Sequence, residues 1–145
     1  MKSILSIFLI GIFSVLALVH FYWATGGQWA FDSALPVDEQ GIRILNPGVM
    51  DSVVVGFALF LFGLFYLLSG DWFSVHIPNK IQRIGLWSIP IIFTLRAIGD
   101  FKYVGFFKQI KTTEFARLDT FIYSPLCLSI SVAGFIILKL KRKQV

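Results

Sequence analysis

Seven residues have types and spacings that could do chemistry. His20 sits three residues before Trp23, and its near-neutral reference pKa suits a general acid or base. Arg96 and Asp100 stand four apart, which on a helix puts both on one face and lets them pair. Asp119 and Tyr123 repeat that spacing, with Arg117 just ahead of them. The two arginines could face an anionic group while the two aspartates orient them. Other chemistries lack their patterns: there is no CxxC, HExxH, GxSxG or glycine-rich phosphate loop. His20, Asp100 and Asp119 show no metal-ligand spacing, so no metal and no cofactor are expected. Cys127 has no second cysteine to pair with and reads as a small buried hydrophobe.

The elements that must position these residues follow from composition. Of 145 residues, 57% are hydrophobic and 14% charged, whereas a soluble domain carries roughly 25% charged residues. That excludes a water-soluble globule, a disordered chain, a nucleic-acid arm and a disulfide scaffold. Crossing ~30 Å of hydrocarbon takes ~20 apolar residues. Runs at about 4–23, 52–69 and 118–138 meet that need. The third run starts at Ile84 but reaches Arg96 after only twelve residues. Extending it over 84–107 supplies the length and places Arg96, Asp100 and Lys102 in its outer part. Pro90 predicts a kink in it. The fold class is therefore all-α: an integral membrane four-helix bundle forming a single membrane domain, 1–145. The first run is too long for a signal peptide's apolar region and is followed by HFYWATGG rather than a cleavage site, so it is read as a retained helix. Gly56 and Gly63, seven apart, predict a close helix contact.

Charge sets the orientation. One side holds Lys2, Lys80, Arg83, Lys139, Lys141, Arg142 and Lys143 against the single acid Asp71. The other holds six basic residues against seven acidic ones. The positive-inside rule then puts both termini in the cytoplasm, in the inner (plasma) membrane. His76 falls on the inner side and cannot share a site with His20. With that topology, His20, Arg96, Asp100, Asp119 and Tyr123 all lie at similar depth under the outer surface. An ionisable group there costs about 2.5–3.5 kcal/mol, so such groups pair or face a cavity. The expectation is that they converge.

Three stretches carry a family resemblance: HFYWATGG (His20 to Gly27), RAIGDFKYVGFFK (Arg96 to Lys108) and TEFARLDTFIYSPLCL (Thr113 to Leu128). They resemble the small bacterial membrane-protein family catalogued as domain of unknown function 3995. The resemblance covers nearly the whole chain and implies a four-helix inner-membrane protein, without assigning an activity. Its motifs contain His20, Trp23, Arg96, Asp100, Arg117, Asp119 and Tyr123.

Three functions stay open on the sequence. One is a binding protein whose outer polar cluster holds a small ligand or lipid head group. The second is a membrane-embedded enzyme acting on a lipid-like substrate, with His20 as acid/base. The third is a structural or assembly subunit whose cluster only locks the bundle. The partners expected are the lipid bilayer, a small-molecule or lipid ligand, and further copies of the chain in a homo-oligomer, with no nucleic acid.

Overall fold

A computed structural model describes residues 1–70, 72–73 and 77–142. Asp71, His76 and Lys143, counted above on the inner side, lie outside the described residues. Among those described, the chain is helical, with one isolated β-bridge between Val37 and Arg43. Helix α1 spans Lys2–Ala24, α2 Val49–Leu68 and α3 Asn79–Ile98. A short helix α4 (Glu114–Leu118) runs through a π-helical turn (Asp119–Tyr123) into α5 (Ser124–Arg142). These make four helical spans long and apolar enough to cross a membrane: α1, α2, α3 and the continuous Glu114–Lys141.

The packing faces read as helical stripes. On α1 the buried residues are Ser6, Leu9, Phe13 and Ala17; on α2 they are Ser52, Gly56, Leu59, Gly63 and Tyr66. Each recurs every three or four positions, the period that lines one helix face. Gly56 lies against His20 and Phe21, and Gly63 against Phe13, so α2 approaches α1 where their spacing predicts. Helix α3 packs along α5, and α1 meets α5, so two helical pairs join through α1 and α5. Phe13 stacks on Tyr66 and tilts against Phe93, filling the centre. The outward faces stay apolar, with Val15, Leu18, Phe57, Leu61, Ile92 and Leu95 exposed. In water such a surface would aggregate; in lipid it is solvated.

The third helix corrects the expected span. It covers Asn79–Ile98 and not 84–107. The missing length comes from the front, where Asn79, Lys80, Gln82 and Arg83 form the first turn and a half. It stops at Ile98 because Gly99 takes φ +90, a left-handed conformation that ends a helix cheaply only at glycine. Asp100 and Lys102 therefore lie in a loop. The fourth span also begins earlier than 118, at Glu114, where Thr113 caps it by accepting a hydrogen bond from Ala116 N.

Loops 25–48 and 99–113 share one end of the bundle, the cap end. Ser33 Oγ bonds Glu114 Oε1 at 3.2 Å, and Tyr123 donates to Ser33 O at 3.3 Å, so the first loop is fastened to the start of the last span.

Candidate functional site

Asp119 is the centre of the cap end. It opens the π turn, whose extra residue lets Ser124 N bond Asp119 O five positions back. That wider turn also brings the Ser124 hydroxyl to the Asp119 carboxylate, at 3.1 Å. The carboxylate accepts three further bonds. Arg96 Nη2 reaches Oδ1 at 2.9 Å; Gly105 N reaches Oδ2 at 2.7 Å and Lys108 Nζ at 3.1 Å. Asp119 has no exposed surface at all.

Lys108 is the unexpected member. Its ammonium has three donors, and the structure occupies all of them: Asp119 Oδ2, Gly105 O at 2.9 Å and Thr120 Oγ1 at 2.7 Å. Thr120 Oγ1 donates its own hydrogen bond to Ala116 O. A buried ammonium is tolerated only when paired and fully bonded, and this one is both. The polarity of the loop is inverted to achieve it. Phe101, Phe106 and Phe107 are exposed while Lys108 is 3% exposed.

Two glycines and one aspartate fold that loop. Gly99 and Gly105 both take positive φ and lie backbone to backbone. Asp100 Oδ1 accepts from the backbone N–H groups of Lys102, Tyr103 and Val104 at 2.7–2.9 Å. Asp100 stays exposed. Its partial burial pushes the carboxyl up, but those N–H groups outweigh it and hold it below the ordinary 3.8. The fold of the loop then aims Gly105 N–H at Asp119.

The seven sequence candidates divide. Arg96 and Asp119 come together as an ion pair of 2.9 Å. The Arg96–Asp100 pair does not form, because the helix ends between them. Asp100 acts on its own loop. His20 does not join the centre: its Nδ1 faces Leu16 O on its own helix and its ring tilts against Trp23. Among the described residues it makes no bond with Arg96, Asp100 or Asp119. Trp23 pins the first loop through its indole N–H to Trp29 O. Tyr123 points its hydroxyl at that loop, and Arg117 is exposed. Lys108, Gly105, Thr120 and Ser124 were missed. Nothing local marks Lys108, which follows two phenylalanines at the edge of a span.

Among the described residues, no three His, Cys, Asp or Glu side chains gather closely enough to hold a metal ion. The Lys108 donors and the Asp119 carboxylate are engaged within the centre, while Arg96 Nη1 is buried without a hydrogen-bond partner. Residues 13–134 match the family described as protein of unknown function (DUF3995). The chain belongs to that family. No curated protein and no solved structure matches it. In this DUF3995 member the matched region runs from the middle of α1 to the middle of α5 and so includes every residue of the Asp119 centre.

Proposed function

We propose that the Asp119 centre is a latch, and that the chain is a non-catalytic multi-pass inner-membrane protein, a structural or assembly subunit. The observation that carries this reading is closure. Every donor of Lys108 is used, Asp119 accepts four bonds, and neither side chain meets solvent. A catalytic or ligand-binding centre needs a group free to exchange partners; the unpartnered donor here, Arg96 Nη1, is itself buried. The latch ties α3 through Arg96, the 99–113 loop through Gly105 and Lys108, and the last span through Asp119 and Ser124. The result is a rigid cap carried on four spans. The enzymatic reading with His20 as acid/base finds no support, since His20 stands apart from the charged groups.

The charge split supports both termini in the cytoplasm, which puts the cap outside the cell membrane. The latch is tested by trypsin on the detergent-solubilised chain, with cleavage sites read by mass spectrometry. Lys102 is exposed and serves as the internal reference, while Lys108 is buried. Asp119→Asn should open cleavage after Lys108 while cleavage after Lys102 changes little. Cleavage after Lys108 that is slow in both proteins would refute the latch.

A further inference from the structure

We propose that an open depression beside the latch binds the head group of an anionic phospholipid. This goes beyond the latch, which needs no ligand. The depression holds about 550 Å³ and is lined by Lys111, Thr113, Glu114, Arg117, Thr120 and Phe121, among others. Lys111 and Arg117 are exposed, and neither is paired with an acid among the described residues. Glu114 is the one acid in the lining, and its Oε1 is engaged by Ser33 Oγ at 3.2 Å.

The charge behind the wall adds to the charge on it. Thr120 lines the depression and its Oγ1 holds Lys108 Nζ on the far side. Arg96 and Lys108 share the single carboxylate of Asp119, which leaves one positive charge in excess at the centre. Arg96 Nη1 is moreover buried without a hydrogen-bond partner. Four cations thus surround this region against two carboxylates, and Lys108, with its side chain 1% exposed, sits where the dielectric is low and its field reaches far.

The shape of the surface selects a lipid over a soluble anion. Glu114, Arg117 and Phe121 follow at three- and four-residue steps and so share one helix face. Along that face the surface changes from charged to apolar, ending at Phe121, 74% exposed, with Ile122 next to it in the chain 51% exposed. A phosphate held by Lys111 and Arg117 would leave its acyl chains running down over these two residues. A free phosphate would use only the upper half of the site.

The test is native mass spectrometry of the full chain in detergent, titrated with phosphatidylglycerol or zwitterionic phosphatidylcholine. Basic residues at the opposite end attract anionic lipid in every variant, so the comparison is between substitutions of equal charge at the cap. Arg117→Gln should weaken phosphatidylglycerol binding about fivefold, the scale of one basic residue at a lipid surface. Lys111→Gln should do the same, and Lys102→Gln should bind as the parent does. Equal losses for Arg117→Gln and Lys102→Gln would overturn the site, as would equal affinity for the two lipids. Displacement of the lipid by inorganic phosphate would overturn the lipid in favour of a soluble anion. Arg117 lies outside the latch, so Arg117→Gln should keep the parent's melting temperature and its resistance to trypsin at Lys108. A failed latch and a failed lipid site are therefore separate results.

Discussion

Lys108 Nζ lies 3.1 Å from Asp119 Oδ2, and the two side chains are 1% and 0% exposed. Buried pairs of this kind do not stabilise a fold simply by being charged, because desolvation offsets much of the attraction. Their effect is in what happens when one partner goes: the other is left as an uncompensated charge. The pair therefore acts as a constraint. Any arrangement of the cap that separates α3, the 99–113 loop and the last span leaves a charge buried alone. Specificity of the cap, more than its gross stability, follows from that.

The loop glycines give the first expectation. A Cβ on Gly99 would stand 1.7 Å from Val104 O, and one on Gly105 would stand 2.3 Å from Ile98 O. Gly26 and Gly41 also take positive φ, yet a Cβ there would meet nothing within 4 Å. Gly26→Ala and Gly41→Ala should cost only the left-handed backbone penalty, about 1–2 kcal/mol. Gly99→Ala and Gly105→Ala should cost clearly more. Thermal unfolding in detergent separates the pairs, and four similar losses would show that the two backbones do not pack as described.

Arg96 and Lys102 should differ in the same assay. Arg96 is tied to a fully buried carboxylate, whereas Lys102 is exposed and lies 5.0 Å over the Tyr103 ring. Arg96→Ala should lower the melting temperature well beyond Lys102→Ala, whose long side chain reaches solvent. Equal melting temperatures would remove Arg96 from the latch.

Much of the molecule is legible in its sequence, for reasons that particular residues make plain. Four spans follow from apolar length, and the Gly56–Gly63 contact from spacing. Depth alone brought Arg96 towards Asp119, because both had to sit under the same surface. The end of the third helix was not legible. Lys80 and Arg83 look like loop residues by charge, yet they lie in the opening turns of α3. Gly99 then ends the helix by conformation, a signal weaker than the apolar run around it. Lys108 was hidden for a different reason. Its burial depends on the turn made by Gly99, Asp100 and Gly105, and no local pattern records that a loop will expose its phenyl rings and hide its ammonium.

Asp100 should give the cap a measurable pH dependence. Its folded-state pKa is lowered, so the stabilisation is complete above the unfolded value near 3.8. It fades as pH falls through the lower folded value. Asp100→Asn cannot ionise and should lose this component, so the stability difference between parent and variant should shrink as pH drops below about 4. A difference that stays constant from neutral pH down to acid unfolding would show that the charge on Asp100 does not organise the loop.

Topology can be checked by reporter fusion. A reporter at the C-terminal end and another inserted after Lys80 should both score cytoplasmic, and one inserted near Gln40 should score external. An external score at either of the first two positions would reverse the assignment of the cap.

The latch itself is tested most directly by a double-mutant cycle on Lys108 and Asp119. Unfolding free energies would be measured in detergent for Lys108→Met, Asp119→Asn and the combined variant. Each single substitution should cost about 3–5 kcal/mol, because it strands the charge or the bonds of its partner. The combined loss should fall short of the sum by about 0.5–3 kcal/mol, the range seen for residues in contact. Losses that simply add, or an Asp119→Asn variant as heat-resistant as the parent, would contradict a buried Lys108–Asp119 latch.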